Sequence, residues 1–211
     1  MCRLLYIRSE TPFDIEEHLD VFAEIARNST EYQGHGWGCA WQRNDAWAFH
    51  HDIRPVWEDD RSRFGKTTLL LVHARSAFRD EGIRVENNMP FFDGRYVFIF
   101  NGELQGVRIR EEGRIGAEKI FNYIKRFDDG HMIDAIERGV NVIEKRTRYV
   151  RAMNFVIASL EQGFAATFYS EDPHYFQLHR QRKDDIDLIC SAPYPGEHGW
   201  RTIDNRSILA L

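Results

Sequence analysis

Short apolar runs of strand length lie on both sides of a central pair of amphipathic segments, and this arrangement strongly constrains the fold. Thr67 to His73 and Arg95 to Phe100 are nearly continuous apolar runs, which predicts two buried strands. Ala117 to Phe127 and Met132 to Arg146 have apolar residues at helical spacing. Further strands are predicted at Ala152 to Leu160, Gly163 to Tyr169, Tyr175 to Arg180 and Asp187 to Cys190. Strands around a helical pair favour an α+β fold in which two stacked antiparallel sheets lie between helical layers.

The first quarter of the chain contains a strand, a helix and a predicted hairpin. Leu4 to Ile7 predicts a short strand. Apolar positions between Thr11 and Asn28 predict an amphipathic helix, with Pro12 in its first turn. Gly34 to His51 predicts two aromatic-rich strands, connected by a turn at Arg43-Asn44-Asp45.

The composition argues against several classes of function. The 211 residues, 43% of them hydrophobic, can bury one sizeable core, so a single domain over residues 1–211 is expected. With 28 Lys and Arg against 33 Asp and Glu, the formal net charge is −5 and favours no nucleic-acid partner. No apolar run approaches the roughly 18 residues of a membrane span, and the start is charged too early for a signal peptide. Three cysteines without a Cys-x-x-Cys pair complete the prediction of a cytoplasmic protein.

Cys2 is a candidate nucleophile because it follows only the initiator Met. Removal of Met1 would leave a thiol and a free α-amine on one residue. An α-amine has a pKa near 7.7 to 8.0, so a useful fraction is neutral at pH 7 and can act as a base. The alternative interpretation is a small buried residue that opens a strand.

Two other short segments follow the predicted buried strands. Asn101-Gly102 comes directly after Tyr96 to Phe100, and its side-chain amide and backbone N–H could form an oxyanion hole; the alternative is a hairpin turn. Arg75, in His73-Ala74-Arg75, could bind a carboxylate in a bidentate manner, and the alternative is an ion pair with a structural acid. His73 is interpreted either as a substrate-binding residue or as a satisfied core histidine.

With nucleophile, anion-binding residue and oxyanion donors in this order, the sequence resembles class II glutamine amidotransferases, which are N-terminal nucleophile hydrolases. Stand-alone bacterial-type members and a relative in ergothioneine synthesis, which hydrolyses a γ-glutamyl amide, are the most similar. The resemblance covers nearly the whole chain. It is carried by Met1-Cys2-Arg3-Leu4-Leu5, Gly36-Trp37-Gly38, His73-Ala74-Arg75, Asn88-Met89-Pro90-Phe91, Asn101-Gly102 and Cys190-Ser191-Ala192-Pro193.

The resemblance implies a role for each matching residue. Cys2 would be the nucleophile with its α-amine as base, and Asn101 with the Gly102 N–H would form the oxyanion hole. Arg75 would bind the substrate α-carboxylate. The remaining candidate substrate-binding residues are Gly36, Trp37, Gly38, His73 and Glu118. No cofactor and no metal are implied.

Three departures from the family pattern affect the residues that bind substrate more than the catalytic residues. The Asp that usually binds the substrate α-ammonium corresponds to Gly116, and Glu118 is the nearby acid that could compensate. The usual Asp before Gly-Trp-Gly is His35, and the usual His before Asn-Gly is Phe100. The loss of one charge-assisted contact would cost about 1.5 to 3 kcal/mol in the recognition of free glutamine.

The expected activity is hydrolysis of the γ-amide of glutamine or of a γ-glutamyl amide through a Cys2 thioester. With no synthase domain expected in these residues, either released ammonia would pass to a separate synthase subunit, or the protein would simply hydrolyse a γ-glutamyl amide. One alternative is a binding or regulatory domain on the same fold; another is a cysteine hydrolase for a peptide-like or bile-acid-like amide. The charged runs His50-His51-Asp52 and Glu58-Asp59-Asp60 are predicted to be solvated rather than metal-binding.

Overall fold

Two antiparallel sheets form the centre of the computed structural model, which describes residues 1–211 apart from the side chain of Asp80. The strands, in chain order, are β1 (Arg3–Asp14), β2 (Trp37–Arg43), β3 (Ala46–Asp52), β4 (Lys66–Ala74), β5 (Phe91–Phe92), β6 (Val97–Val107), β7 (Thr147–Ala158), β8 (Gly163–Thr167), β9 (His179–Lys183), β10 (Ile186–Cys190), β11 (Arg201–Thr202) and β12 (Ser207–Ala210). The seven-stranded sheet has the order β11-β9-β10-β1-β4-β2-β3, and the five-stranded sheet has the order β12-β8-β7-β6-β5.

Helices cover the outer faces of both sheets. They are α1 (Ile15–Arg27), α2 (Gly116–Lys125) and α3 (Met132–Lys145); a further single turn, α4 (Pro173–Phe176), accepts a hydrogen bond from Asn154 of β7 at its Phe176 carbonyl. Side chains alternate along β1, so Leu5 and Ile7 share a core with α1, whereas Leu4 and Tyr6 face the five-stranded sheet. On the far side, α2 and α3 pack against the five-stranded sheet. The predicted α+β fold with stacked antiparallel sheets between helical layers is therefore confirmed.

The hairpin predicted from the aromatic-rich segment is confirmed. β2 and β3 pair in register, and Asn44 and Asp45 between them have φ angles of 50° and 58°. Asn and Asp tolerate this left-handed conformation, which two-residue hairpin turns require. The buried strand β4 and the helices α2 and α3 also match their predicted positions within a few residues.

The first helix begins later than predicted. Thr11 to Asp14 belong to β1, which pairs with β4 again at Phe13 after a bulge, so Pro12 lies in a strand rather than in the first helical turn. The Asp14 side chain accepts a hydrogen bond from the Glu16 N–H at 3.0 Å and caps α1. Strand pairing and this cap together place the start of α1 at Ile15.

Two other predictions about the strands were wrong. β6 does not end at Phe100 but continues through Asn101 and Gly102, which pair with Asn154 and Met153 of β7, so the turn interpretation of Asn101-Gly102 is incorrect. The segment predicted as a strand from Tyr175 begins with the single turn α4, and its strand starts at His179. No helix among the described residues has the length and apolar character needed to cross a membrane.

Candidate active site

Cys2 lies immediately before β1, beside the end of β4. Arg3 pairs with Ala74, so the next position on each strand brings Cys2 next to Arg75 and Ser76. The Ser76 N–H donates to the Cys2 sulfur at 3.4 Å, and the thiol donates to the Ser76 carbonyl at 3.6 Å. Burial raises the pKa of the Cys2 thiol, against the lowering effects of the N-terminal ammonium, the Ser76 N–H and Arg75. The thiol is therefore protonated at neutral pH, and its attack on a carbonyl would need a base.

Arg75 is a buried cation beside this thiol, with 5% of its surface exposed. Its backbone is fixed by β2 and the preceding loop, since the Arg75 N–H donates to Gly36 O at 2.9 Å and the Arg75 carbonyl accepts from His35 N at 3.1 Å. The guanidinium donates to Asn88 Oδ1 at 3.5 Å. No carboxylate among the described side chains forms an ion pair with Arg75. Burial lowers the pKa of Arg75 from its ordinary value, but an arginine stays charged at neutral pH.

The Gly36-Trp37-Gly38 segment is shaped by contacts within the chain. Gly36 has a φ of 105°, and a Cβ there would lie 2.1 Å from Asn88 Nδ2. A Cβ on Gly38 would lie 2.5 Å from the Met89 carbonyl. Both glycines therefore allow the 88–89 segment to approach β2. The Trp37 side chain is fully buried in the core beneath α1, so it does not line a pocket, and ligand binding by the backbone of this segment stays a prediction.

Asp59 holds the Trp37 indole in place, and the expectation that the charged run around Asp59 is solvated was wrong. The Asp59 side chain is 1% exposed. It accepts from Trp37 Nε1 at 3.2 Å, and it pairs with His50 at 2.8 Å and with Arg54 and Arg63 at 2.9 Å each. The ligand atoms of His50, Asp52 and Asp59 lie within 4.8 Å of one another. The two guanidinium groups supply the positive charge that this carboxylate needs, which gives the cluster a structural explanation.

Asn101 carries the largest unmet hydrogen-bonding capacity in this region. Its residue is fully buried, and neither Nδ2 nor Oδ1 of its amide has a partner among the described residues. Three residues before Asn101, and so on the opposite face of β6, Phe98 stacks on Phe121 of α2 with ring centroids 4.8 Å apart, so even-numbered residues here face the helices. Since side chains alternate along a strand, Asn101 faces the seven-stranded sheet, the side on which Cys2 lies.

The Gly102 N–H also points away from its neighbouring strand. Gly102 is in register with Met153 of β7, and the Met153 N–H donates to the Phe168 carbonyl on the opposite side at 2.7 Å. Gly102 and Met153 are therefore a non-hydrogen-bonded pair, in which the backbone groups point outward. On the other side of β6, β5 pairs only with Val97 and Phe98 and does not extend to Gly102. The Asn101 amide and the Gly102 N–H are thus adjacent donors at a strand edge.

Polar contacts at two places connect this part of β6 to the strands and the loop that surround Cys2. The first is His73 on β4, whose Nε2 lies 3.0 Å from the Phe100 carbonyl. The second runs through Arg151 of β7, which contacts both Glu31 and Glu103 at 3.4 Å, while Glu31 pairs with the Met1 ammonium. Asn101 and Gly102 lie between Phe100 and Glu103. The residues on both sides of this pair therefore contact segments that lie close to Cys2.

His73 acts as a link between the sheets in this structure. It is fully buried, and burial lowers its pKa to about 3. The ring is therefore neutral at pH 7, with the proton on Nε2, where the carbonyl accepts it. Nδ1 is buried without a partner among the described residues. A substrate contact of His73 stays a prediction.

Sequence inspection missed the residues around the Met1–Cys2 peptide. The Met1 carbonyl accepts hydrogen bonds from Gln33 Nε2, at 2.6 Å, and from the Tyr175 hydroxyl. Glu31 and Arg151 form the adjoining ion pairs already described. No motif identifies these residues, because they lie in a loop, in strand β7 and in a one-turn helix, far apart along the chain. Burial of Gln33, at 0% exposure, is visible only in the structure.

Glu118 is engaged elsewhere. It lies in the first turn of α2 and forms an ion pair with Arg114, whose guanidinium also donates to the Glu86 carbonyl. The Glu118 carboxylate is therefore already paired within the chain. Binding of a substrate α-ammonium by Glu118, in place of the Asp that corresponds to Gly116, stays a prediction. At Gly116 an added Cβ would meet nothing within 4 Å, so the position has room for a side chain.

Solved structures similar in fold to this chain are described as glutamine amidotransferases or as a glutamine aminotransferase class-II domain protein. A glutamine aminotransferase class-II domain protein from Silicibacter pomeroyi has a TM-score of 0.65 at 17% identity, over 99% of this chain and 94% of that chain. A predicted glutamine amidotransferase from Pseudomonas aeruginosa has a TM-score of 0.59 at 16% identity, over 99% and 96%. The B. subtilis glutamine phosphoribosylpyrophosphate amidotransferase has a TM-score of 0.62 at 16% identity, over 90% of this chain and 42% of that one.

No protein-family model and no curated protein matches the sequence. The comparison with solved structures therefore rests on three-dimensional similarity at low identity. It establishes that this chain has the fold of class II glutamine amidotransferase domains, and it bears out the resemblance inferred from the sequence at the level of fold.

Proposed function

We propose that this protein is an amidohydrolase of the class II glutamine amidotransferase type, in which Cys2 attacks the γ-amide of glutamine or of a γ-glutamyl amide. The observation that carries the proposal is the fully buried Asn101 amide, which has no hydrogen-bond partner among the described side chains and faces the side of Cys2. An unpaired buried polar group costs about 1 to 3 kcal/mol, so its retention favours a functional explanation over a structural one.

The proposed reaction uses the α-amine that Cys2 gains when Met1 is removed. The neutral amine takes the thiol proton, and the sulfur attacks the γ-carbonyl to form a tetrahedral intermediate. Asn101 Nδ2 and the Gly102 N–H donate to the oxyanion as its charge develops. The ammonium returns the proton to the leaving amine, and water then hydrolyses the γ-glutamyl thioester to glutamate and the free thiol. The high pKa of the buried thiol supports the need for a base at this position.

Arg75 would bind the α-carboxylate of the substrate. It is buried beside Cys2, it has no carboxylate partner among the described side chains, and its planar guanidinium matches a carboxylate in a bidentate manner. Ammonia released from glutamine would go either to water or to a separate synthase subunit. A γ-glutamyl amide would give a free amine instead and needs no synthase.

The test is the intact mass of the protein before and after treatment with a glutamine-mimicking electrophile that alkylates thiols. We expect loss of Met1 and one adduct on Cys2, and we expect Cys2→Ala to abolish both adduct and turnover. Cys39→Ser and Cys190→Ser are matched controls, since both thiols are fully buried and burial raises their pKa values, that of Cys190 to about 11. Full turnover by Cys2→Ala would refute the proposal.

The second candidate is a binding domain on the same fold, which Gly116 and the engaged Glu118 favour. Such a domain would bind a γ-glutamyl compound without cleaving it. Calorimetric titration with glutamine separates the two candidates. Heat of binding without production of glutamate supports the binding domain, whereas glutamate production at a rate proportional to enzyme supports the amidohydrolase.

A further inference from the structure

The Met1–Cys2 peptide is held by two uncharged side chains that the proposed mechanism does not yet use. Gln33 Nε2 donates to the Met1 carbonyl at 2.6 Å, and the Tyr175 hydroxyl donates to the same oxygen. The two side chains also contact each other, with Gln33 Nε2 3.2 Å from Tyr175 Oη. Both come from distant parts of the chain and meet only at this peptide.

The hydrogen bonding of the Gln33 amide is unbalanced. Gln33 is fully buried, and its Nε2 has four acceptors within reach although it carries only two N–H groups. The other amide atom, Oε1, is buried and has no partner among the described residues. A side-chain amide in this situation has an acceptor to offer as soon as a new donor arrives next to it.

Removal of Met1 produces such a donor. The Met1 carbonyl oxygen and the Cys2 nitrogen belong to one planar peptide, so groups that contact the oxygen lie within about 5 Å of the nitrogen. After removal, an acceptor is replaced by an amine with N–H groups. Rotation of the Gln33 amide by a half turn would present Oε1 to this amine, in exchange for the hydrogen bond from Nε2 to the Glu31 carbonyl, and the Tyr175 oxygen can accept a second N–H.

We propose that Gln33 and Tyr175 are positioning residues that accept hydrogen bonds from the Cys2 α-amine and direct its lone pair towards the thiol. This inference rests on the proposed function, because it assigns the groups that orient the base of that reaction. A neutral amine has two N–H groups and one lone pair. If two acceptors engage the N–H groups, the lone pair is left for the thiol proton.

The absence of charge on these two side chains is part of the proposal. An anion beside the amine would favour its protonated form and remove the base. Charged and titratable groups near the amine come from several elements of the fold: the Cys2 thiol, Arg3, Glu31, Arg75, Arg151 and Tyr175. Glu31 is the acid among them, and its contact with Arg151 offsets part of its charge.

The experiment compares the pH dependence of Cys2 alkylation in variants that share an identical N-terminus. Each protein is produced with a cleavable leader that leaves Cys2 as the first residue, and intact mass checks the cleavage. The rate of alkylation by the glutamine-mimicking electrophile is then measured from pH 5 to 10. The variants are Gln33→Glu, Tyr175→Phe and the control Tyr194→Phe, which removes a hydroxyl that bonds to His18 at 3.0 Å on another part of the molecule.

We expect Gln33→Glu to move the midpoint of the alkylation profile to higher pH by about one unit, because a carboxylate raises the pKa of a neighbouring amine. Since the neutral amine is the base, the rate near pH 7 falls and recovers at high pH. Tyr175→Phe keeps the ring that packs on Arg3, 4.1 Å from its guanidinium, and lowers the rate about tenfold at pH 7. Tyr194→Phe keeps the wild-type profile.

An unshifted midpoint in Gln33→Glu, with a reactive wild type, would overturn this inference and leave the proposed function intact. If Gln33→Glu does not fold, the rate of Tyr175→Phe decides, and a wild-type rate overturns the inference. A wild type that carries Cys2 at its N-terminus and forms no adduct would instead overturn the proposed function itself.

Discussion

Asn101 and Asn154 are paired in register on β6 and β7, and both are fully buried, but their side-chain amides have opposite surroundings. Asn154 donates to the Phe176 carbonyl at 2.7 Å and accepts from the Phe168 N–H at 3.0 Å. Asn101 has no partner for either atom among the described residues. The Asn154 amide is therefore part of the hydrogen bonding of the fold. The Asn101 amide is free to bind a ligand on the side of Cys2.

The difference separates a stabilising group from a candidate functional one of the same chemical type. A buried amide with both bonds made contributes to stability, and its loss leaves two backbone groups unpaired. A buried amide with no bonds costs stability, and proteins retain such groups where a ligand or a reaction uses them.

The largest effect is expected for Asn101→Ala on the reaction. Loss of one oxyanion donor should lower the rate of hydrolysis of a chromogenic γ-glutamyl anilide by about 100-fold to 1,000-fold. The free energy of unfolding, measured by urea denaturation, should stay the same or rise, because a buried group without a partner is removed. An unchanged rate together with a loss of stability would reverse the assignment.

Asn154→Ala should have the converse result. The Phe176 carbonyl and the Phe168 N–H would lose their partner, which should lower the free energy of unfolding by about 2 to 3 kcal/mol. Urea denaturation measures this loss. The activity of the folded fraction should fall far less than in Asn101→Ala. Equal losses of activity in the two variants would erase the distinction between the two amides.

Gly116→Asp tests whether the site that contains the Asn101 and Gly102 donors binds a glutamine-type substrate. Position 116 has room for a side chain, and an acid in the first turn of α2 suits the helix N-terminus. If the substrate α-ammonium lies near this position, the KM for glutamine should fall about tenfold at unchanged kcat, through a new charge-assisted hydrogen bond. Gly116→Asn, which adds the same volume without charge, is the control and should have little effect. A KM equal to that of wild type would place the ammonium elsewhere.

The hydrogen bonding of His73 is intermediate between that of the two asparagines, since Nε2 has a partner and Nδ1 has none in the part of the chain that the structure describes. Its folded-state pKa of about 3 is below the ordinary value of 6.5. The unfolded chain therefore takes up a proton that the folded chain excludes, and stability is lost as pH falls from about 6.5 towards 3. The slope from this group is about 1.4 kcal/mol per pH unit.

His73→Gln should remove that slope, which urea denaturation at several pH values between 4 and 7 would measure. His131→Gln is the matched control, because the His131 side chain is 76% exposed. A pH dependence of stability that is identical in wild type and His73→Gln would show that other histidines account for it.

Local patterns predicted those parts of the fold whose structure depends on neighbouring residues. The buried strand β4, the helices α2 and α3 and the Asn44-Asp45 hairpin follow from apolar periodicity and turn chemistry within a few residues. The turn signal of Asn101-Gly102 failed because pairing with β7 over the whole length of β6 outweighs a two-residue preference. The start of α1 failed for the same reason, since β1 pairs with β4 beyond its bulge.

The candidate site divides in the same way. Cys2, Arg75 and Asn101 could be proposed from their order along the chain and from their places beside predicted strands. Gln33, Tyr175, Glu31 and Arg151 could not, because their roles depend on contacts between segments that are far apart in sequence. Trp37 could be expected near the site from its glycine neighbours, but its indole is buried in the core and donates to Asp59, 22 residues away along the chain.

The sequence by itself determined the α+β class, the central helical pair and the residue types able to act as nucleophile, anion-binding group and oxyanion donors. These follow from periodicity and side-chain chemistry, which are local properties. Only the tertiary structure decided that the Asn154 amide has hydrogen-bond partners while the Asn101 amide has none among the described residues. It also decided that His73 joins the two sheets, and that Gln33 and Tyr175 meet at the Met1–Cys2 peptide. Hydrogen-bond satisfaction belongs to the packed chain, because each donor finds its acceptor only after distant strands have been brought together.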